Sequence, residues 1–416
     1  MIALIFVALS GADIELSPPS GSAQEAVQQA VDKLARDGGG KLLLAPGTYR
    51  VASIKLPFTL DRRYGGIQIE GKGGYARIAP AGPGTEALVK VGVGWKDWRG
   101  LKLTGLAFRR IQFDGMASTF PKTRSLLTVE ADDGTIVEDC EFLNSTGEAF
   151  ICGGATSSVN GVIRHCRAKG CGRVPPANNP LSAYNLNGMN WRGEDLFAAD
   201  CGWGAELGGT GVRLERSYFR DATVVIGSSN YGVCDVEVSN CLFVRSSIGW
   251  GNGIGRIADI RLRDCTLIES AVGPCGGLVK DNVDPAQVGG MPWSDRPSLV
   301  SGCQMHVIKG TTQAVRLTDW HDRNANGPGV IFKDNWFFAP PGRTIAMQGR
   351  LKADATFTGN RFNAVDLGTI YTGLPDGTPL PNTVAHLKFR DNRFPKGASI
   401  AVSGNTKGWP KRLPIR

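Results

Sequence analysis

The chain has 416 residues, of which 56 are Gly, and its 47 Lys and Arg against 38 Asp and Glu give a net charge of +9. Hydrophobic residues make up 42% and charged residues 20% of the chain, a composition that supports a sizeable core and excludes a disordered chain. The glycines follow no three-residue period and no apolar run reaches the roughly 18 residues of a spanning helix, so collagen and a transmembrane helix are excluded.

The first segment of the chain is apolar from Ile2 to Leu9 and continues with the small residues Ser10 and Ala12. This pattern predicts a secretory signal over residues 1–12, and therefore a secreted or periplasmic protein. The alternative is an N-terminal strand of the fold, because the segment lacks the basic start of a signal.

One amphipathic helix is predicted next, over residues 22–36. Its apolar positions, from Ala26 to Leu34, recur at helical spacing, and Ser22 stands three residues before Glu25 as a candidate N-cap. The helix ends before three consecutive glycines, and residues 41–44 then predict a short buried strand that ends at a Pro-Gly turn.

From about residue 100 the sequence repeats loosely, and no second long helix is predicted. Each repeat has a strand followed by Cys, Asn or Ser, and a later strand that ends in Gly, such as GAELGG. The shared position is held by Cys140, Cys166, Ser217, Cys241, Cys265, Cys303, Asn335, Asn360 and Asn392. Two or three short strands per repeat predict an all-β parallel solenoid of roughly 10–12 coils.

Equivalent side chains of a solenoid stack about 4.8 Å apart, so the shared Cys and Asn form a column. Asn tolerates a left-handed bend and bonds to its neighbours in the column, while Cys fills the same place as a small buried hydrophobe. We therefore interpret the column cysteines as structural thiols. The cysteines outside the column are candidate disulfide partners: Cys152, Cys171, Cys201, Cys234 and Cys275.

The helix with its three glycines, the segment KLLLAPGTY at residues 41–49 and the repeats to about residue 404 resemble the pectate-lyase-like superfamily of right-handed parallel β-helix proteins. The resemblance implies a single-stranded right-handed β-helix with an N-terminal capping α-helix, and a carbohydrate-active or glycan-binding function. The expected parts are a cap with the first strands (13–60), the β-helix (61–405) and a basic C-terminal tail (406–416).

The motifs of particular branches of this superfamily are absent. No repeated Asp cluster like that of calcium-dependent pectate lyases is present, so no cofactor is evident and Ca²⁺ has no motif to support it. The polygalacturonase motifs are missing, and the epimerase-like motif appears only as Asp284-Pro285-Ala286-Gln287.

Strand alternation in GAELGG directs Glu206 outward between glycines, beside Trp203, and makes it a candidate site acid. The same alternation directs Asn185 and Asn187 outward on the preceding repeat, near Tyr184, where amides suit the recognition of sugar hydroxyls. The alternative for Glu206 is a solvated surface carboxylate. Further glycines expected to line a groove are Gly204, Gly208, Gly249 and Gly251.

Two further carboxylates, Glu148 and Asp221, precede strands of the same type and are candidate partners of Glu206. Coils about 4.8 Å apart would place such acids within the separations that glycosidases use. Turn acids that bond nearby backbone are an equally good interpretation.

The densest polar group follows a strand on which Arg316 is expected to point outward. It offers an acid or base, His321, and groups that could bind a carboxylate or a sugar: Asp319, Trp320, Asp322 and Arg323. A loop held together by Asp and Arg pairs is the alternative. Other Trp expected beside this face are Trp191, Trp203, Trp250 and Trp293, some of which could fill the core.

Three functions fit these residues. The first is a polysaccharide lyase that cleaves an acidic glycan by β-elimination, with Arg316 or Arg323 neutralising the uronate and Tyr184 or His321 moving protons. The second is a glycoside hydrolase or fructan-type transferase that pairs Glu206 with Glu148 or Asp221. The third is a non-catalytic glycan-binding or adhesin solenoid. We expect a polysaccharide or oligosaccharide partner, no nucleic acid and no membrane, and the sequence leaves monomer or trimer open.

Overall fold

The computed structural model describes most of the chain. The described residues are 13–57, 64–84, 86–92, 102–121, 125–173, 181–227, 233–251, 257–274, 294, 296–309, 312–319, 329–349, 354–372, 384–404 and 410–415. They form two compact units, residues 1–183 and 184–416.

The cap helix α1 spans Gln24–Arg36, close to its predicted bounds. The N-cap is Ala23 rather than the predicted Ser22, whose hydroxyl instead accepts the backbone N–H of Gln24 at 3.3 Å. Its buried residues are Val27, Ala30, Val31, Leu34 and Ala35, and this face packs on the first strands of the chain.

The first unit contains short strands: β1 Ile14–Leu16, β2 Gly40–Leu44, β3 Gly47–Val51, β4 Ile54–Leu56, β5 Ile67–Gly71, β6 Ala76–Pro80, β7 Val89–Val91, β8 Leu103–Thr104, β9 Ala107–Arg109, β10 Ile111–Asp114, β11 Leu127–Val129, β12 Asp132–Asp133, β13 Ile136–Glu138, β14 Glu141–Leu143, β15 Phe150–Val159, β16 Val162–Arg164 and β17 Arg167–Lys169.

Strand β18 (Ser182–Met189) has its first two residues in the first unit and the rest in the second. The second unit continues with β19 Arg192–Glu194, β20 Phe197–Ala199, β21 Trp203–Leu207, β22 Arg213–Glu215, β23 Tyr218–Arg220, β24 Thr223–Ile226, β25 Val233–Ser239, β26 Leu242–Val244, β27 Ile248–Trp250, β28 Ile257–Arg263, β29 Thr266–Ile268, β30 Val272–Pro274, β31 Ser298–Ser301, β32 Gln304–His306, β33 Val315–Asp319, β34 Val330–Lys333, β35 Trp336–Phe338, β36 Ile345–Gly349, β37 Ala355–Thr358, β38 Arg361–Phe362, β39 Asp366–Tyr371, a 3₁₀ helix Val384–His386, β40 Leu387–Arg390, β41 Ser399–Ser403 and β42 Arg412–Pro414.

Each unit arranges its strands in three parallel sheets, to which a complete coil gives one strand each, and β8 and β12 lie off this path. In the first unit the orders are β1-β2-β5-β9-β13-β16, β3-β6-β10-β14-β17 and β4-β7-β11-β15. In the second they are β19-β22-β25-β28-β31-β34-β37-β40, β20-β23-β26-β29-β32-β35-β38 and β18-β21-β24-β27-β30-β33-β36-β39-β41-β42. We call these the first, second and third sheets of each unit. The predicted parallel β-helix is confirmed, and the predicted tail contains β42, which pairs antiparallel with β41.

The predicted column lies at the corner between the first and second sheets. Asn335 and Asn360 are fully buried there, and the Oδ1 of Asn360 accepts the backbone N–H of Asn335 at 2.9 Å. Asn392 receives the backbone N–H of Asn360 in the same way at 2.9 Å. In the coils with Cys, the thiol of Cys265 donates to the carbonyl of Arg263 at 3.2 Å. Both residue types therefore satisfy backbone groups inside the corner.

The left-handed bend of this corner falls one residue before the column, which corrects the expectation that Asn adopts it. Asp139, His165, Asn240 and Asp334 have φ values from 51° to 55°. Asp and Asn accept this conformation at low cost because their short polar side chains bond locally.

The core between the sheets is stacked coil upon coil. Phe332 and Phe357 stack with their ring centres 4.6 Å apart, and Phe337 and Phe362 with theirs 4.7 Å apart. Burying each such ring stabilises the fold by about 2 to 3 kcal/mol relative to exposing it.

Nine cysteines among the described residues are buried thiols. These include the off-column Cys152, Cys171, Cys201 and Cys234, so the suggestion that they form disulfides with one another is wrong; Cys275 lies outside the described residues. Burial raises the pKa of the Cys166 and Cys265 thiols, which keeps them protonated and unreactive. No helix in the described part of the chain is long and apolar enough to cross a membrane.

Candidate functional site

The site is built on the outer face of the third sheet in the second unit, which we call the third-sheet face. Register pairs Glu206 with Val225, Val225 with Gly249, and Gly249 with Gly273. The column continues to Arg316 and Ala346 on the next strands. Side chains at these positions point away from the core because their strand neighbours are buried.

Glu206 is held by two amides from the preceding coil. The Nδ2 of Asn185 donates to Oε2 of Glu206 at 3.2 Å, and the Nδ2 of Asn187 donates to Oε1 at 3.4 Å. Asn185 is only 5% exposed, whereas Glu206 is partly exposed. Both carboxylate oxygens thus receive a donor, which fixes the plane of the carboxylate.

The sequence explains this arrangement. Strand β18 alternates the buried Tyr184 and Leu186 with the outward Asn185 and Asn187. A Cβ at position 208 would lie 1.6 Å from the Oδ1 of Asn187, so only Gly208 leaves room for that amide above β21. The expected outward register of the two amides and of Glu206 is therefore observed.

Tyr184 does not reach this face, which corrects its assignment as a base. Its side chain is fully buried and its hydroxyl donates to the carbonyl of Phe197 at 3.0 Å. The ring belongs to the core because its position has the inward parity of β18.

Beyond Glu206 the face has a low floor. Val225 is 9% exposed, and Gly249 and Gly273 present no side chain. A Cβ at position 273 would lie 2.2 Å from the carbonyl oxygen of Arg316, so glycine is required there. Arg316 is exposed, as expected. Four coil steps of about 4.8 Å separate it from Glu206, so the strip is about 19 Å long.

The aromatic and glycine neighbours divide between the face and the core. Trp203 is partly exposed at the start of β21, opposite Thr223. Trp191 and Trp250 were expected beside this face, but both are buried and fill the core, which was the alternative. Gly204 forms a bulge over Phe219 and Ala222 and is not part of the floor. Gly251 has φ +118° at the end of β27, and Trp293 lies outside the described residues.

Of the two predicted partner acids, Asp221 is engaged elsewhere in the second unit. Asp221 occupies a turn with φ +50°, and its carboxylate accepts two hydrogen bonds from the guanidinium of Arg245, at 2.7 and 2.6 Å. This corresponds to the alternative of a structural turn acid. Glu148 lies in the first unit, where its carbonyl accepts the N–H of Leu126 at 3.1 Å.

The dense polar group after β33 lies outside the described residues, apart from the backbone of Asp319. Trp320, His321, Asp322 and Arg323 lie outside the described residues, as does the side chain of Asp319, whose backbone ends β33. Their roles stay predictions.

Two acids that the sequence analysis missed lie in the first unit. Burial raises the pKa of Glu130, and it raises the pKa of Asp132 to about 6. Asp132 is fully buried, and its Oδ1 accepts a hydrogen bond from the hydroxyl of Ser158. The signal in the sequence is the acidic segment from Glu130 to Asp133, directly after strand β11.

Within the described part of the chain, one group of three possible metal ligands occurs: Glu138, Asp139 and His165. Glu138 accepts hydrogen bonds from Arg109 at 3.1 Å and from Arg164 at 2.8 Å. These guanidinium groups occupy the carboxylate, so the group is a salt-bridge ladder and does not fit a metal centre.

Known proteins were compared with the chain. No protein-family profile matches it, and no curated protein sequence is similar to it. Solved structures match its fold. The mannuronan C-5 epimerase AlgE4 A-module of Azotobacter vinelandii has a TM-score of 0.50 and 15% identity, and the match covers 83% of this chain and 98% of that chain. A mutant tailspike protein of E. coli bacteriophage HK620 in complex with a pentasaccharide has a TM-score of 0.58 and 15% identity, over 93% of this chain and 72% of that chain. The expected resemblance to right-handed parallel β-helix proteins is confirmed.

Proposed function

Starting from the right-handed β-helix and its third-sheet face, we propose that the protein cleaves an acidic glycan by β-elimination on that face. Glu206 acts as the base. It takes the proton next to the uronate carboxylate, the new double bond forms, and the bond to the leaving sugar oxygen breaks with its electron pair. The leaving oxygen gains a proton from an acid, for which His321 is the candidate. The carboxylate of Glu206 held between two amides is the observation that carries the proposal.

The floor of Val225, Gly249 and Gly273 supports an extended ligand that runs along the coils. Arg316, about 19 Å from Glu206, is too distant to neutralise the uronate whose proton Glu206 takes. We therefore assign Arg316 to a uronate carboxylate further along the same glycan. The net charge of +9 favours such a polyanion. The names of the two structural neighbours, a mannuronan epimerase and a tailspike solved with a pentasaccharide, agree with a glycan ligand.

A hydrolase or transferase would need a second carboxylate near Glu206. Asp221 is the partner that the sequence offered in this unit, and its pairing with Arg245 makes it a poor acid. Elimination needs only one such carboxylate, so the geometry favours the lyase. A secreted or periplasmic location is part of the same proposal.

The test is to incubate the purified protein with a panel of uronate polymers and neutral glycans. Ultraviolet absorbance detects the unsaturated product, and mass spectrometry detects every other cleavage. We expect an unsaturated product from a uronate polymer, a loss of at least about a hundredfold in Glu206→Gln, as typical for a general base, and unchanged binding. The matched control is Glu215→Gln, whose carboxylate pairs with Arg216 on the first sheet at 2.9 Å and should keep full activity.

Two other results would each reject the lyase, and a third would reject only the role given to Glu206. Cleavage of a neutral glycan that needs both Glu206 and Asp221 would establish the hydrolase instead. Binding without any product would establish the non-catalytic solenoid. An unsaturated product that forms equally fast in Glu206→Gln would remove Glu206 as the base.

A further inference from the structure

The outer face of the second sheet in the second unit is unusually apolar. Two columns of side chains point outward from its strands. One holds Phe197, Tyr218, Leu242, Thr266, Gln304, Trp336 and Arg361, and the other holds Ala199, Arg220, Val244, Ile268, His306 and Phe338. We call these two columns the apolar stripe. Leu242 is 37% exposed, Trp336 42% and Phe338 36%, so large apolar groups of the stripe face solvent.

The stripe continues into a groove on the adjoining turns. The groove has a volume of about 490 Å³ and is lined by His306, Ile308, Phe338, Pro340 and Val365 among others. Ile308 is 62% exposed and Val365 48% exposed. Contiguous apolar surface of this kind marks a contact with another molecule.

The first sheet of the same unit is an internal control. Its outward column pairs Arg213 with Glu237 and Glu237 with Arg261, and Arg261 lies 3.5 Å from the carboxylate of Glu237. These coils fold with ion pairs on the outer face of the first sheet, so folding does not require apolar residues on an outer face. The aromatic and aliphatic groups of the second sheet therefore need another explanation. The composition of the stripe therefore indicates that the second-sheet face is covered.

The ring contacts disfavour a sugar as the natural cover. His306 and Phe338 stack with their centres 4.7 Å apart and their planes at 6°, and the guanidinium of Arg361 lies 4.8 Å from the centre of Trp336. One face of each of these three rings is thus occupied within the stripe, whereas a sugar packs on free ring faces. Arg220, the other cation of the stripe, pairs with Asp200 at 3.7 Å, which disfavours an anionic surface.

We propose that the apolar stripe is a self-association surface, and that its occupant is the same stripe on a second copy of this chain. A face-to-face two-fold contact requires a patch complementary to itself, which an apolar patch with few charges is. If the two stripes run antiparallel about the coil of Thr266, Arg361 meets Phe197 of the other copy and Arg220 meets Phe338. No two arginines then face each other, so the arrangement carries no like-charge penalty.

The dimensions predict a weak dimer. Six coil steps of about 4.8 Å and strands of three residues at about 3.3 Å give a stripe of about 29 by 10 Å. Two copies would bury about 600 Å², and the groove residues add to this. Stable interfaces bury about 1,200 to 2,000 Å². We therefore expect a dimer that dissociates on dilution.

The experiment is sedimentation velocity of the full chain over a range of concentrations from about one to several hundred micromolar, the range in which weak interfaces dissociate. The wild-type mass should double towards high concentration. Leu242→Glu and Ile268→Glu, on different coils of the stripe, should each stay monomeric; Ile268 lies on the coil of Thr266 and would face its own copy with a like charge. The control is Leu299→Glu, an apolar residue on the outer face of the first sheet, which should dimerise like the wild type.

Circular dichroism and the melting temperature establish that each variant is folded, and one folded stripe variant suffices for the test. A wild type that stays monomeric at every concentration would overturn the proposal. So would a trimer, or a dimer that both stripe variants keep. The proposal is independent of the glycan site, because none of these residues lies on the third-sheet face.

Discussion

Replacing Asp132 with Asn should make the protein more stable at neutral pH, and by an amount that depends on pH. Asp132 is fully buried in the first unit, next to Ser158, and burial is the main reason that its pKa is high. Hydrogen bonds from Ser158 and Thr135 and the charge of Lys102 oppose this effect without cancelling it. Between about pH 4 and 6, the folded protein therefore holds a proton on Asp132 that the unfolded chain has already released.

The structure sets the size of the effect. The pKa of Asp132 rises from 3.8 to about 6, and at about 1.36 kcal/mol for each pH decade this corresponds to about 3 kcal/mol. The carboxyl contributes this stability fully below about pH 4, and the contribution is lost as the pH rises through about 6. The amide that replaces the carboxyl in Asp132→Asn has no proton to lose. The unfolding free energy of the variant, relative to that of the wild type, should therefore rise by up to about 3 kcal/mol as the pH rises from about 4 to above 6.

Guanidinium unfolding at several pH values between about 3.5 and 7.5 measures the difference in unfolding free energy between Asp132→Asn and the wild type. Other carboxylates titrate equally in both proteins and cancel in the difference. Asp133→Asn is the matched control. Asp133 is the next residue in the chain, but its side chain is partly exposed and accepts a hydrogen bond from Asn160 at 2.9 Å. A difference for Asp132→Asn that stays constant with pH would refute the reasoning, whatever its sign.

Three further outcomes are expected. Asn360→Ala should lower the unfolding free energy by about 3 kcal/mol, because buried backbone groups lose their partners. Asn360→Cys should lower it less, since Cys303 fills the same position of the column in an earlier coil. Thermal and guanidinium unfolding of both variants measure the two differences. Val225→Phe should block the third-sheet face next to Glu206, so glycan binding by calorimetry should weaken at least about tenfold while the melting temperature changes little; equal binding would place the ligand elsewhere. Tyr184→Phe should cost about 1 kcal/mol through its lost bond to Phe197 and leave the rate of product formation unchanged, whereas a large loss of rate would restore Tyr184 as a catalytic residue.

The repeat made the fold predictable. Stacked positions such as Asn335 and Asn360 show a period directly in the sequence, and a parallel coil stacks such equivalent positions on one another. Strand alternation also placed Glu206 and Asn185 on the outside correctly, because parity within a short strand is fixed once one apolar neighbour is known to be buried.

Roles were assigned wrongly where the alternation was not applied to every residue or where contacts between coils decide the role. Tyr184 was assigned as a base, although the alternation that directs Asn185 outward directs Tyr184 inward within β18. Asp221 looked like a site acid until its partner Arg245, on the next coil, was known. The apolar stripe was invisible for a related reason, since Leu242 and Trp336 are distant in sequence and share a face only after folding.

The corners of the coil repeat at a constant chain length in part of the second unit. Ser217, Cys241 and Cys265 follow one another at intervals of 24 residues, each contacting the next through a backbone N–H and a thiol. Ser246 and Ser270 do the same at another corner, also 24 residues apart.

A segment of 24 residues is therefore one complete repeat unit, which could be removed as a whole. Removing residues 242–265 would join Cys241 to Thr266 and return both corners to register. Protein length, and with it the reach of any ligand along the coils, can thus change in whole steps of about 4.8 Å while the architecture is preserved.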